Sequence, residues 1–208
     1  MSNIASAPMN PLAVLPPEKK APRLYTLAEY LHREEHAKER HEYYDGIIKK
    51  LPMTRGSHNL IITNLTFQLE SFIFSQEKDY FVMNNSQLVY SKKLNITLYP
   101  DILVISEKPV YHDQNEVLLI NPILIIEVLS RSTRVYDRKE KFNEYKTLES
   151  FKEYVLIDQN KCFIETRFKE KPNTWKETTY TDLKESVVLN SINLTIDVAK
   201  IYRRIELK

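Results

Sequence analysis

The chain has 208 residues, 42% of them hydrophobic, so it is long enough for one well-packed core and fits one domain better than two. Its 30 lysines and arginines nearly balance 28 aspartates and glutamates, and the formal charge of +2 excludes a whole-protein field that would attract nucleic acid. A single cysteine, Cys162, excludes an intramolecular disulfide and a cysteine-based zinc site, and fits a reducing compartment.

No segment of the sequence has the pattern of a membrane anchor. The longest apolar stretch, 117–129, is interrupted by Asn121, Pro122 and Glu127, and it is shorter than the roughly 20 residues that a spanning helix needs. The first residues lack the charged start and unbroken apolar core of a signal peptide. We therefore expect a cytoplasmic protein that has no membrane partner.

Proline dominates the beginning of the chain. Five of the ten prolines lie within the first 22 residues. Because proline at this density disfavours both helix and sheet, residues 1–24 are predicted to form a flexible arm, and residues 25–208 to form the folded domain.

The folded part begins with a helix and a hairpin. Thr26 followed by Glu29 has the spacing of a capping box and predicts a helix over about 27–37. Asp45-Gly46 provides the positive φ angles of a tight turn and predicts a hairpin around it.

The rest of the chain alternates helical and extended patterns. Ser57 is predicted to cap a helix over 58–75, and Ser132 or Thr133 to cap another over 134–148. Apolar and alternating runs predict strands at 80–83, 87–90, 99–106, 123–129 and 153–158, with an outer antiparallel extension at 162–168 and 175–180.

Two of these apolar runs each contain one acid. Asp101 begins the first run and Glu127 lies near the end of the second. A buried carboxylate costs several kcal/mol unless it is paired, and a divalent cation is a common partner of two neighbouring acids. If the two strands are adjacent and antiparallel, the acids meet, and Lys141 on the following helix would complete a site for phosphodiester hydrolysis.

Three segments around these acids resemble the Uma-type restriction endonucleases of the PD-(D/E)XK nuclease superfamily. They are Tyr99-Pro100-Asp101, 126–133 (IEVLSRST) and 137–145 (DRKEKFNEY), with further likeness at 42–46, 58–59, 121–122 and 151–158. The resemblance covers about 25–202. It implies an α/β, restriction-endonuclease-like fold: a central mixed sheet flanked by helices, with an antiparallel C-terminal extension.

The resemblance also implies a metal site and a reaction. It makes Asp101 and Glu127 ligands of Mg²⁺ or Mn²⁺, adds the carbonyl of Val128, and places the acid of Glu42 nearby. The implied reaction is endonucleolytic hydrolysis of DNA. Superfamily members often act as dimers, so the resemblance implies a homodimer as well.

The sequence indicates the basic residues of the site less directly than it indicates the two acids. The superfamily's lysine normally lies two residues after the second acid, where this chain has Leu129, so the resemblance passes that role to Lys141. Arg131, Arg134 and Arg138 flank the predicted site and are expected to neutralise nucleic-acid phosphates.

Other interpretations remain open. Pro-Asp pairs are common at strand starts, and Glu127 can form a buried ion pair with Lys141 or Arg134. His58, near a helix start, can contact a phosphate, but a helix cap or a surface position is favoured for it. Leu129 favours a second hypothesis, a catalytically inactive nucleic-acid or protein-binding module. A third is a metal-dependent hydrolase of small phosphoesters, since two acids and a lysine do not specify polymer length.

Overall fold

The computed structural model of this protein describes residues 23–208. The predicted proline-rich arm therefore lies almost wholly outside the described residues and stays a prediction. Within 23–208, no helix is long and apolar enough to cross a membrane.

The helices and strands follow one another with short connections. The first half of the chain forms α1 (Leu27–Glu35), β1 (His41–Tyr44), β2 (Ile47–Lys50), α2 (Gly56–Gln76), β3 (Tyr80–Asn84), β4 (Leu88–Ser91), β5 (Ile96–Leu98) and β6 (Ile102–Ser106). The second half forms β7 (Leu118–Leu119), β8 (Leu124–Leu129), α3 (Arg134–Tyr136), a π-helical turn (Asp137–Lys141), α4 (Phe142–Tyr145), β9 (Glu153–Asp158), β10 (Ile164–Lys171), β11 (Thr174–Tyr180), β12 (Ser186–Leu189), β13 (Leu194–Asp197) and α5 (Val198–Ile201).

The central sheet is mixed and has six strands in the order β11-β10-β9-β8-β6-β3. Strands β6 and β8 are antiparallel neighbours, with Ile102 opposite Ile126, which confirms the predicted pairing of the two acidic runs. Strands β8 and β9 are parallel, and β10 and β11 continue the sheet outward as antiparallel strands, as predicted.

Each face of the central sheet is covered by a different layer. Residues such as Ile102, Ile126 and Val128 pack against α2, the β12–β13 hairpin and α5. On the other face, Leu103 and Leu129 pack against α4 and a second, five-stranded sheet of order β2-β1-β5-β4-β7. Because side chains alternate along a strand, this register directs the odd-numbered residues of β6 and β8 toward the second sheet.

Several boundaries differ from the sequence-based expectation. The capping box of Thr26 and Glu29 is present, but α2 begins at Gly56 with Arg55 as its N-cap, so the predicted cap at Ser57 is wrong. The predicted strand over 99–106 begins only at Ile102, as β6, and the separate strand β5 ends at Leu98, before Pro100. β5 joins the second sheet and β6 the central one, because Pro100 has no N–H to continue a ladder and the chain crosses between sheets there.

Candidate active site

Asp101 lies where the chain passes from the second sheet into the central sheet. Its Oδ1 lies 2.9 Å from the His58 Nε2, and its Oδ2 accepts a 2.7 Å hydrogen bond from the Val128 amide. His58 is buried in the first turn of α2. One helix and one strand therefore fix the orientation of this carboxylate.

Glu127 lies on β8, on the face that meets the second sheet. Its Oε1 accepts a 2.9 Å hydrogen bond from the Tyr145 hydroxyl and lies 2.8 Å from Lys141 Nζ. Among residues 23–208, no side chain or amide donates to its Oε2. The residue is only 3% exposed, yet it lines an open cleft, so the second oxygen is available to a ligand in that cleft.

Lys141 reaches the same point from the π-helical turn. Its Nζ lies 2.8 Å from Glu127 Oε1 and 3.6 Å from Glu42 Oε1, and it donates a 3.2 Å hydrogen bond to the Tyr99 carbonyl. The side chains of Lys141 and Asp137, at the two ends of this turn, are both buried. π-Helical turns often occur at functional sites, where they reposition side chains that a regular helix would direct elsewhere.

Glu42 comes from the second sheet, on β1. Its Oε1 accepts a 3.0 Å hydrogen bond from the Tyr99 amide and its Oε2 a 2.6 Å bond from the Tyr44 hydroxyl. The Tyr44 hydroxyl is hydrogen-bonded in turn to Tyr136. The site thus lies between the two sheets, and each layer supplies part of it.

The charges in this cluster do not balance. The carboxylates of Glu42, Glu127 and Asp137 surround Lys141. Asp101 lies close enough to Glu127 to act on its pKa and is paired with His58. Burial raises the pKa of Glu127 well above its ordinary value; Lys141 opposes that shift, and Asp101 and Asp137 add to it.

Two further groups reflect the same excess of negative charge. Burial also raises the pKa of Asp137, and Asp101 and Glu42 add to the rise. For Lys141, burial acts to lower the pKa, but Glu127, Glu42 and Asp137 outweigh it and hold the pKa well above its ordinary value. The lysine is therefore an ammonium at neutral pH, and the cluster has room for additional positive charge.

The donor atoms fit a hard divalent cation. Asp101 and Glu127 offer carboxylate oxygens, which Mg²⁺ and Mn²⁺ prefer. In an extended strand the N–H and C=O of one residue point to the same side. Because the Val128 amide donates to Asp101, its carbonyl also lies on the Asp101 side of β8. Two carboxylates and a carbonyl suit Mg²⁺, which retains several waters.

Comparison with known proteins assigns the chain to a family. The sequence model of the Uma2 family, described as "Putative restriction endonuclease", matches residues 27–199. The chain belongs to the Uma2 family. The predicted resemblance is thereby confirmed.

Two relatives of this Uma2 chain are found in Synechocystis sp. The uncharacterized protein sll1609 is 36% identical over 137 residues, which are 66% of this chain and 76% of that protein. The uncharacterized protein slr1290 is 30% identical over 203 residues, which are 96% of this chain and 97% of that protein.

A solved structure has the same fold. The crystal structure described as a putative nuclease belonging to DUF820, from Anabaena variabilis, matches with a TM-score of 0.67 and 19% sequence identity. The match covers 86% of this chain and 97% of that chain. It confirms the predicted restriction-endonuclease-like α/β fold.

Asp101, Glu127 and Asp137 of this Uma2 chain line a cleft of about 580 Å³. The cleft is also lined by the loop 51–55 and by the basic residues Arg40, Arg131 and Lys208. Arg131 is exposed there, in a position that suits its predicted contact with phosphate. Sequence reasoning missed Arg40, because it precedes β1 and nothing local links it to Asp101.

The other two arginines that were predicted to bind phosphate form ion pairs with acids of the same chain. Arg134 forms an ion pair with buried Asp158, and Arg138 forms one with buried Glu165. Neither arginine lines the cleft, so their contact with nucleic acid stays a prediction.

The structure brings the predicted acids and Lys141 together and adds one residue that sequence reasoning placed elsewhere. His58 was expected to cap a helix or lie at the surface, but it is buried against Asp101. The two residues are 43 positions apart. Two signals in the sequence pointed to His58: its position near a helix start, where it could contact a phosphate, and the likeness of 58–59 to the Uma-type enzymes.

Proposed function

We propose that this Uma2 chain is a metal-dependent endonuclease that hydrolyses phosphodiester bonds in DNA. The observation that carries the proposal is a cluster of four carboxylates with one lysine, open on one side to a cleft; Glu42, Glu127 and Asp137 are buried and Asp101 is partly buried. Burying so many acids is costly unless a cation joins them, and membership of a restriction endonuclease family supports a nuclease.

Asp101, Glu127 and the carbonyl of Val128 would hold Mg²⁺ or Mn²⁺. When bound, such a cation supplies a water of lowered pKa and neutralises charge on the scissile phosphate. The chain orients the ligands in advance: His58 and the Val128 amide hold Asp101, and Tyr145 holds Glu127. Orientation of this kind limits the rearrangement that the site needs during the reaction.

Lys141 acts as a hydrogen-bond donor in this proposal. Because three carboxylates keep its pKa high, the ammonium does not accept a proton from the attacking water. It instead orients that water and stabilises the negative charge that develops on the phosphate. The water oxygen bonds to phosphorus as the bond to the leaving oxygen breaks; the proton of the attacking water passes to solvent in the open cleft, and the leaving oxygen takes a proton from the same solvent. Glu42 holds the ammonium from its other side.

The cleft favours a polymer over a small phosphoester. Arg40, Arg55, Arg131 and Lys208 line it together with the acids, and they can contact phosphates on either side of the scissile bond. A homodimer, which would cut both strands, and the reducing cytoplasm inferred from the single cysteine remain part of the proposal.

The test is cleavage of supercoiled plasmid in Mg²⁺ or Mn²⁺. The wild type and a matched control, Asp79→Asn on the exposed surface, are expected to cut, and Asp101→Asn or added EDTA to abolish cutting. Equal cutting by Asp101→Asn would contradict the proposed site. Cutting of a small phosphodiester but not of plasmid or linear DNA would contradict the substrate.

A further inference from the structure

A second group of potential metal ligands lies at the C-terminal end of α1, where His36 is the C-cap, on a surface separate from the proposed active site. His32, Glu35 and His36 follow the spacing H-x-x-E-H, which places all three side chains on one side of a helical turn. Each offers a ligand atom, and these three atoms lie within 4.8 Å of one another. All three residues are exposed, so a cation can reach them from solvent.

The His36 ring is already oriented for ligation. Its Nδ1 lies 3.0 Å from the carbonyl oxygen of His32. Because a carbonyl only accepts, Nδ1 must carry the hydrogen, and Nε2 keeps its lone pair for a metal. Histidines that bind metals commonly donate their other ring N–H to a backbone carbonyl in this way. The two imidazole centroids are 5.2 Å apart, close enough for both rings to share one ion.

Glu35, the acid of this group, differs from the preceding Glu34 in its hydrogen bonding. Glu34 accepts hydrogen bonds from the His41 amide at 2.8 Å and from the Tyr99 hydroxyl at 3.3 Å. The side chain of Glu35 has no hydrogen bond or ion pair with any residue in 23–208. Its carboxylate is therefore free to join the two histidines.

We propose that His32, Glu35 and His36 bind a divalent transition metal of the Zn²⁺ type. Two imidazoles and one carboxylate are a donor set that favours Zn²⁺ over Mg²⁺, which prefers oxygen alone. Three protein ligands leave one tetrahedral position for water or for an outside ligand. The protein thus has two different cation sites, an oxygen-only site between the sheets and a nitrogen-containing site on α1.

The α1 site is linked to the proposed active site through its neighbour Glu34. Glu34 holds the amide of His41 and the hydroxyl of Tyr99, and the Tyr99 amide donates to Glu42. A metal on the adjacent side chains would fix the last turn of α1 and with it this chain of hydrogen bonds. Because only the folded chain presents the three ligands together, binding also stabilises the fold.

The test is calorimetric titration of the full chain with Zn²⁺ in excess Mg²⁺, which occupies the oxygen site. The wild type, Asp101→Asn and the control His112→Ala, an exposed histidine elsewhere, are expected to bind Zn²⁺. His32→Ala and His36→Ala are expected to lose this binding, and Glu35→Gln to weaken it. Co²⁺ is expected to give the visible absorption of nitrogen-ligated cobalt in the wild type and not in His36→Ala.

Circular dichroism checks that each variant is folded, which is expected because the three side chains are exposed. Zn²⁺ binding by the double variant His32→Ala, His36→Ala as tight as that of the wild type would overturn the proposal. So would the absence of Zn²⁺ binding by the wild type. A loss of Zn²⁺ binding confined to Asp101→Asn would assign the ion to the oxygen site and also overturn it.

Discussion

Two buried glutamates lie toward opposite ends of the paired strands β8 and β9, and they differ in how their charge is met. Glu153 accepts hydrogen bonds from the Asn190 amide at 3.0 Å, the Ser191 amide at 2.8 Å and the Ser191 hydroxyl at 2.7 Å. Glu127 has its donors on one oxygen only, and other carboxylates surround it.

A third buried acid completes the comparison. Glu165 on β10 is paired with the guanidinium groups of Arg138 and Arg167, so its charge is balanced by the protein. Burial of an acid therefore does not by itself indicate function. The distinguishing feature of Glu127 is that it shares one ammonium, that of Lys141, with other carboxylates and lines a cleft.

After Asp101→Asn, which is expected to abolish cutting, the largest expected effect is that of Lys141→Gln on catalysis. Loss of a charged donor at the site should lower the cleavage rate by about 10²–10³-fold. Mg²⁺ binding should persist or tighten, because a competing positive charge is removed. Single-turnover cleavage and calorimetry separate the two effects, with the exposed Lys139→Gln as the control. An unchanged rate would exclude Lys141 from the reaction.

His58→Ala should have the next largest effect. Without the hydrogen bond to Asp101 the carboxylate loses its orientation, and Mg²⁺ affinity should fall by about 10–100-fold. The measurement is calorimetric titration with Mg²⁺ beside the control His112→Ala. Wild-type affinity in His58→Ala would show that this histidine does not position the carboxylate.

Glu153→Gln should affect stability instead of binding. Glutamine replaces one carboxylate oxygen, which accepted hydrogen bonds, by an NH₂ group that only donates. This group would face the donors of Asn190 or Ser191, and the lost hydrogen bonds should lower the free energy of unfolding by about 1–3 kcal/mol. Chemical denaturation measures this, and Glu127→Gln should lower the unfolding free energy by less, because it removes one of several crowded acids. The comparison fails if Glu127→Gln is the more destabilising of the two.

The smallest expected effect is on pH dependence. The pKa values of Glu127 and Asp137 in the folded chain lie above their ordinary values of 4.5 and 3.8. At any pH between the ordinary and the raised values, the folded chain therefore binds more protons than the unfolded chain. Their contribution to stability therefore decreases as pH rises through that range. Since Mg²⁺ binds the ionised forms, its effect on Tm should be larger at about pH 8 than at about pH 5. A constant or opposite trend in thermal melts would contradict this assignment.

The sequence was sufficient to place the two principal acids near each other. Asp101 and Glu127 were placed on apolar runs, and the observed antiparallel pairing of β6 with β8 follows the prediction. Alternation along β8 then puts Glu127 on the face toward the second sheet, and Asp101, just before β6, reaches the Val128 amide of β8. The position of Lys141 depended on family resemblance, because no local pattern indicates a π-helical turn.

Other parts of the molecule could not be predicted because they depend on distant contacts. β5 and β7 have only three and two residues, too short for a periodic signal, and their strand geometry comes from pairing within the second sheet. The β12–β13 hairpin and α5 are likewise stabilised by packing on the central sheet and α2. His58 joins the site only after α2 docks beside β6.

The central claim is that Glu127 belongs to a cation site and Glu153 does not, and calorimetric titration of Mg²⁺ tests it most directly. The wild type and folded Glu153→Gln should bind Mg²⁺ with similar affinity, and Glu127→Gln should lose that binding. Wild-type affinity in Glu127→Gln, or no Mg²⁺ binding by the wild type, would contradict the account.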